Sequence, residues 1–318
     1  QKVGEDEDAP AKPRPSAGPG RTKVPETSFP TLPKLRDEPA ADRPELFRQK
    51  LQACCIIYDF TTETNLKSKE SKRQTLLEMV EFVNSSRAAF QESLIPEIVK
   101  MVGCNIFRAL PAKDRSFVCL GDDEEEPTLE KSWPHLQIVY EFFLRFVVSN
   151  EIDPKVAKVS LNADFVAQMM ELFDSDDPRE RDYLKTILHR IYGKFMTLRA
   201  FIRRAIQQTF YKVMYECDMY NGVGELLEIM GSIINGFALP LKEEHKDFLV
   251  RALIPLHKLK FLAGFHQQLS YCMSQYVSKD PRLAFVIISA LLRFWPTTIT
   301  SKQVLFLNEL EELLELTK

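Results

Sequence analysis

Two short segments of this 318-residue chain carry residue types that can hold an anion. His189 and Tyr192 stand three apart, about one helical turn, and Lys242 and His245 repeat that spacing. Between them runs a helical pattern with an unusually wide apolar arc. At ~100° per residue, Leu226, Leu227, Ile229, Met230, Ile233, Ile234 and Phe237 cover roughly 160°, where a helix packed on one core face needs ~100°. The excess, with Ile229 at its edge, is enough to line a groove. Cations flanking an apolar groove suit an acidic, partly apolar peptide. The competing reading is plain: core isoleucines and solvated charges.

No catalytic constellation competes. The chain lacks G-x-x-x-x-G-K-[ST], G-x-G-x-x-G, H-E-x-x-H and G-x-S-x-G, so nothing specific supports an enzyme. His245-Lys-Asp247 reads as three exposed polar residues near a helix start. The five histidines (His135, His189, His245, His257, His266) show no metal-ligand spacing. The six cysteines, Cys54, Cys55, Cys104, Cys119, Cys217 and Cys272, form no C-x-x-C pair and read as reduced thiols. No cofactor or metal is therefore expected. A net charge of −3 gives no basic field for nucleic acid. The five acids Asp122–Glu126 can dock a basic partner or simply sit in water, and they lack the alternating ligands and glycine of an EF-hand. No signal-peptide pattern and no apolar run near ~18 residues stands in the chain, so no membrane insertion is expected, and a place inside the cell, in the cytoplasm and nucleus, is.

The elements that must position these residues are helical. Glycine is scarce, at 11 residues, and 45% of the chain is apolar. Eight of the 19 prolines fall in residues 1–41, a tail too poor in apolar surface to order itself and expected to be disordered. Asp42 is placed to cap a first helix reaching about Phe60, with Pro44 in its first turn. Helical periods follow at about 69–84, 96–110, 134–147, 163–173, from Pro178 through His189, 198–215, 222–236, 243–258, 266–277, 281–294 and 301–316. The last presents Val304, Leu307, Leu310 and Leu314 on one face. No alternating strand pattern competes. Helix pairs recur every ~40 residues, and Asp177-Pro-Arg179 and Asp280-Pro-Arg282 both open helices, as do Pro134 and Pro281, each leading to a Leu-Arg-Phe string. That degenerate self-similarity predicts an all-α, HEAT-like solenoid over 42–318.

Long strings then make the chain recognisable. They are Glu126-Pro-Thr-Leu-Glu130, Trp133-Pro-His-Leu-Gln137, Val139-Tyr-Glu-Phe-Phe-Leu-Arg-Phe146, Leu172-Phe-Asp-Ser175, Asp177-Pro-Arg-Glu-Arg-Asp182, Leu188-His-Arg-Ile-Tyr-Gly-Lys-Phe195, Gly231-Ser-Ile-Ile-Asn-Gly-Phe-Ala-Leu-Pro-Leu-Lys-Glu-Glu-His245 and Phe306-Leu-Asn-Glu-Leu-Glu311. From about Leu35 onward the chain resembles the B-prime (B-fifty-six) family of regulatory subunits of serine/threonine protein phosphatase 2A. The resemblance implies a non-catalytic solenoid that binds the phosphatase scaffold and catalytic subunits. It also implies a groove for the substrate motif Leu-x-x-Ile-x-Glu.

By matched position, that groove is formed by Thr186, His189, Arg190, Tyr192, Arg199, Ile229, Ile233, Lys242 and His245. In it Tyr192, Ile229 and Ile233 take the motif's Leu and Ile. Lys242 and His245 hold its Glu, His189 and Arg190 meet a phosphate near its start, and Arg199 holds the peptide backbone. The chain departs from the family at Ile187, at Pro111–Gly121, at Tyr271–Met273 and at Phe285–Ser289, and the family continues for several helices past Lys318, so a truncated solenoid with an uncapped end is expected. A helical-repeat adaptor unattached to any phosphatase is the alternative reading.

Overall fold

Proline punctuates the helices in the structure, a computed structural model that describes residues 28–85, 90–111, 128–217 and 219–317. Its φ suits a helix's first turn, where its missing N–H is not needed. Pro44, Pro96, Pro134, Pro154 and Pro178 all occupy that turn, in α1 (Arg43–Cys54), α3 (Ile95–Ile106), α4 (Trp133–Val148), α5 (Pro154–Ala157) and α7 (Pro178–Lys194). The others are α2 (Leu66–Ser85), α6 (Ala163–Glu171), α8 (Arg199–Tyr215), α9 (Val223–Asn235), α10 (Glu243–Phe248), α11 (His266–Lys279), α12 (Leu283–Arg293) and α13 (Thr300–Glu315). Among the described residues there is no strand.

The helices form two layers. One runs α2, α4, α7, α9, α11, α13, each packed on the next; the other holds α1, α3, α6, α8, the 249–258 segment and α12. Helices consecutive in the chain also pack across the layers, as in α1 with α2, α3 with α4 and α12 with α13. This is the expected helical solenoid. Because α9 lies between α7 and α11, it needs apolar surface on both flanks, and that is the physical reason its arc is so wide.

Several expectations shift. Asp42 makes no side-chain cap, and α1 ends at Cys54 rather than near Phe60. The short α5 was not anticipated. The 243–258 helix is α-helical only to Phe248, then widens to a π turn at 249–253 and tightens to a 3-10 turn at 254–258. Pro255 explains this, since its ring cannot sit over the carbonyl of Arg251 in a regular helix. On α13 the buried residues are Phe306, Glu309 and Leu313, whereas Val304, Leu307 and Leu314 are about half exposed. The expected tail was drawn to residue 41, yet Leu35 is fully buried and its N–H donates to Glu78 on α2. Residues 1–27 and the acidic loop 122–126 lie outside the described residues. The five described cysteines are free thiols; Cys119 lies outside them.

The Asp-Pro-Arg strings build one local device twice. Asp177 accepts the Arg179 N–H at 3.0 Å and clamps its guanidinium at 2.9 and 2.6 Å. Asp280 does the same to Arg282 at 3.2, 2.9 and 3.1 Å. The first opens α7 and the second precedes α12, in different layers, so the device is a local helix start and not an equivalent repeat position. The same holds for Leu-Arg-Phe, which falls in α4 and at the end of α12.

Candidate functional site

The start of α7 is anchored by a buried charge. Glu180 has no exposed surface, yet its oxygens are well supplied with donors: Arg108 at 2.8 Å to each oxygen, Tyr140 OH at 2.7 Å and Ser175 OH at 2.5 Å. A buried carboxylate is tolerated when it is this fully bonded. The network fixes α7 against α4 and the 174–177 turn.

From that anchor α7 meets α9 through three polar rungs, one helical turn apart. Arg181 Nε donates to Glu225 at 2.7 Å, Lys185 Nζ pairs with Glu228 at 2.7 Å, and His189 Nε2 lies 2.9 Å from Ser232 Oγ. Residues 181, 185 and 189 on α7 thus face 225, 228 and 232 on α9. The rungs set the register, and the next turn of α7 presents Tyr192.

Tyr192 is half-buried and tightly held. Arg199, at the start of α8, donates Nε to the Tyr192 carbonyl at 2.9 Å and Nη2 to the Gly193 carbonyl at 3.0 Å, and its guanidinium lies 5.4 Å from the Tyr192 ring centroid. Arg203, one turn further along α8, donates to the Tyr192 hydroxyl at 3.1 Å. Arg203 was missed from the sequence, although its spacing of four from Arg199 places both on one face. Ser232 was missed too.

Beyond α9 the chain returns through Phe237 to Lys242 and His245. The His245 ring lies parallel to Phe237 at 3.7 Å, and its carbonyl accepts the Tyr276 OH at 2.9 Å. His245 Nε2 is 3.4 Å from Glu244, which also lies 3.9 Å from Arg203. Tyr192 and His245 are therefore joined through Arg203 and Glu244. Lys242 is exposed, and its carbonyl accepts the His245 N–H at 3.0 Å. Thr186 is half-buried one turn before His189, and Arg190 is exposed. An open cleft of about 130 Å³ separates α8 from α9 and α10, lined by Arg203, Arg204, Met230, Phe237 and His245 among others.

Ile229 and Ile233 do not form an open apolar strip. They are 2% and 5% exposed, buried in the packing of α9 between its neighbours. The apolar wall of the cleft comes instead from Met230, Phe237 and Phe248, with Tyr192 tied to its edge through Arg203.

Both imidazoles titrate below the ordinary histidine range. For His189 the cause is burial, then the positive charge of Arg190. For His245 burial comes first, with Arg203 and Lys242 adding to it against the opposing pull of Glu244. At neutral pH both rings thus favour the uncharged form, and an arriving anion favours the charged one. The arrangement can receive a chain with an apolar side chain against Tyr192 and acids against Arg203, Lys242 and His245. No group of histidines, cysteines and acids among the described residues is arranged to hold a metal ion.

A family model described as Protein phosphatase 2A regulatory B subunit (B56 family) matches residues 32–318. The B' eta isoform of the 59 kDa regulatory subunit of serine/threonine protein phosphatase 2A from Arabidopsis thaliana is 55% identical over 296 residues, 92% of this chain and 58% of that protein. The alpha isoform of the human 56 kDa regulatory subunit is 55% identical over 285 residues, 89% of this chain and 58% of that protein. The chain thus spans 58% of the length of these two relatives. An engineered protein of solved structure aligns over 84% of this chain and 97% of its own at 12% identity, with a TM-score of 0.41, too loose a likeness to argue from.

Proposed function

The chain belongs to the B56 family of protein phosphatase 2A regulatory B subunits, and we propose that it acts as a non-catalytic targeting subunit. It joins the phosphatase scaffold and catalytic subunits and brings to them partners carrying an acidic Leu-x-x-Ile-x-Glu segment. The observation that supports the second step is the end of the α7–α9 ladder, where Arg203, bonded to the Tyr192 hydroxyl, lines an open cleft together with Met230, Phe237 and His245. Apolar walls with cations on the rim suit a short peptide with alternating apolar and acidic residues.

In this reading the peptide's apolar residues lie along Tyr192, Met230 and Phe237, while Ile229 and Ile233, buried beneath, support that wall. Arg199 keeps free guanidinium N–H groups for the peptide backbone, since two are already committed to Tyr192 and Gly193. Lys242 and His245 take the final Glu, while His189, Arg190 and Thr186 line the end where a phosphate beside the Leu would arrive.

Two measurements test this. Affinity capture from a cell extract followed by mass spectrometry should return the scaffold and catalytic subunits together; their absence points to an adaptor unattached to a phosphatase. Calorimetric titration with a Leu-x-x-Ile-x-Glu peptide should show binding that Tyr192→Ala removes. If Tyr192→Ala binds like the parent, the groove is elsewhere and these residues are core and solvated charges.

A further inference from the structure

We propose that Glu244 is a built-in competitor for the acidic end of a bound peptide; this rests on the peptide-binding reading above. Its carboxylate sits between the two groups that a ligand's acid would need, the His245 ring at 3.4 Å from Nε2 and the Arg203 guanidinium at 3.9 Å from Nη2. Both of those groups are fixed from behind. His245 is stacked on Phe237 and tied through its carbonyl to Tyr276. Arg203 is half-buried and bonded to the Tyr192 hydroxyl. Glu244 is the loose member: its side chain is 59% exposed at the rim of the cleft.

An acid entering the cleft meets a site already neutralised. A second carboxylate at the Arg203–His245 pair is repelled by the first and must compete with it for the same N–H groups. A tethered carboxylate competes at a high effective concentration, and this lowers the affinity of every acidic ligand. A neutral ligand meets no such competition. Glu244 therefore sets a threshold that strongly acidic segments pass and weakly acidic ones do not.

Its neighbour supplies the control. Glu243 occupies the same first turn of α10 but is 85% exposed and pairs with Lys246 at 2.9 Å. Removing either charge alters the net field equally, whereas only Glu244 faces Arg203 and His245.

The test is calorimetric titration of the parent chain, Glu244→Gln, Glu243→Gln and Tyr192→Ala at two salt concentrations. Two peptides serve as probes: one with the motif's final Glu and one with Gln in its place. The expected result is a gain of about threefold to tenfold for the Glu peptide on Glu244→Gln at low salt, shrinking at high salt. The Gln peptide and the Glu243→Gln variant should each change less than about twofold. An unchanged or weaker Glu244→Gln overturns the proposal, as does an equal gain for the Gln peptide or from Glu243→Gln. If the parent binds neither peptide, or Tyr192→Ala binds like the parent, the groove reading fails and Glu244 fails with it. If the parent binds, Tyr192→Ala weakens and Glu244→Gln does nothing, only the competitor assignment is lost.

Discussion

His189 on α7 and Ser232 on α9 meet at 2.9 Å, and their contact is the third rung of the ladder that sets the two helices in register. Partial desolvation of the ring against α9, and then the charge of Arg190, hold it below the ordinary histidine range although the residue is exposed at its outer edge. A phosphate bound beside it would favour the imidazolium, so the complex would hold more protons than the free protein. Affinity for a peptide phosphorylated next to its Leu should therefore rise as pH falls from about 7.5 to about 6. Calorimetry in buffers of different ionisation enthalpy should show proton uptake with the parent that exceeds the uptake with His189→Asn, and the difference should be larger for the phosphorylated peptide than for the unmodified one. A pH-independent affinity between those values would count against His189 as a phosphate partner.

Arg190→Ala should remove most of the gain from phosphorylation while changing the unmodified peptide less, because the exposed guanidinium lies at the end where the phosphate arrives. The expected loss is about 1.5–3 kcal/mol of the phosphate increment. If the full increment survives, a different cation meets the phosphate.

Tyr192→Ala should weaken peptide binding at any salt, by about 1.5–3 kcal/mol for the lost apolar contact. Tyr192→Phe keeps the ring but releases Arg203 from its hydroxyl, so a smaller loss is expected. Ile229→Ala is a different case. Ile229 is 2% exposed, so its truncation should lower folding stability by about 2–5 kcal/mol, and any binding loss has to be read beside the thermal melt. A variant that melts like the parent yet binds more weakly would show Ile229 touching the peptide directly.

Lys242→Ala should weaken binding most at low salt. Lys242 is exposed, so its attraction for an acidic ligand is screened over ~10 Å at ~0.1 M salt. Titrations at low and high ionic strength should converge on the parent value; a loss independent of salt would mean a structural role.

Glu309 on α13 is buried, with oxygens 3.1 Å from His257 Nε2 and 2.9 Å from His266 Nε2. Burial alone would raise its carboxyl, but the two histidines outweigh it and pull it from 4.5 down to about 2. A lowered acid stabilises the fold above its unfolded value and loses that contribution as pH falls toward its folded one. The chain should accordingly lose stability between about pH 4.5 and about pH 2, and Glu309→Gln should flatten that part of the profile. The variant should also be less stable near neutral pH, by about 1–3 kcal/mol, because an amide replaces the carboxylate that both ring nitrogens meet. Urea melts across pH would check both; a variant as stable as the parent would show that the pair is not what docks α13.

Some of this was readable without a structure because it is local. Proline and Asp-Pro-Arg placed helix starts within a few residues, since the ring's fixed φ and the aspartate's reach to the N–H two residues on depend on nothing distant. The 3.6-residue period gave the order of helices, and the string from Gly231 marked a segment that borders the cleft. What the sequence could not decide is which neighbour each face meets. The wide arc of α9 reads equally as a groove or as packing on two flanks, and only the placement of α7 and α11 buries Ile229 and Ile233. On α13, Val304 and Leu307 carry the apolar signal, yet Glu309 goes inside, because His257, 52 residues away, is there to meet it. Glu180 is the same case, its charge met by Arg108, 72 residues away. Periodicity measures how apolar a face is. The energy of burying a charge depends on partners that only the folded chain brings within ~3 Å, and those partners decide where the charged residues go.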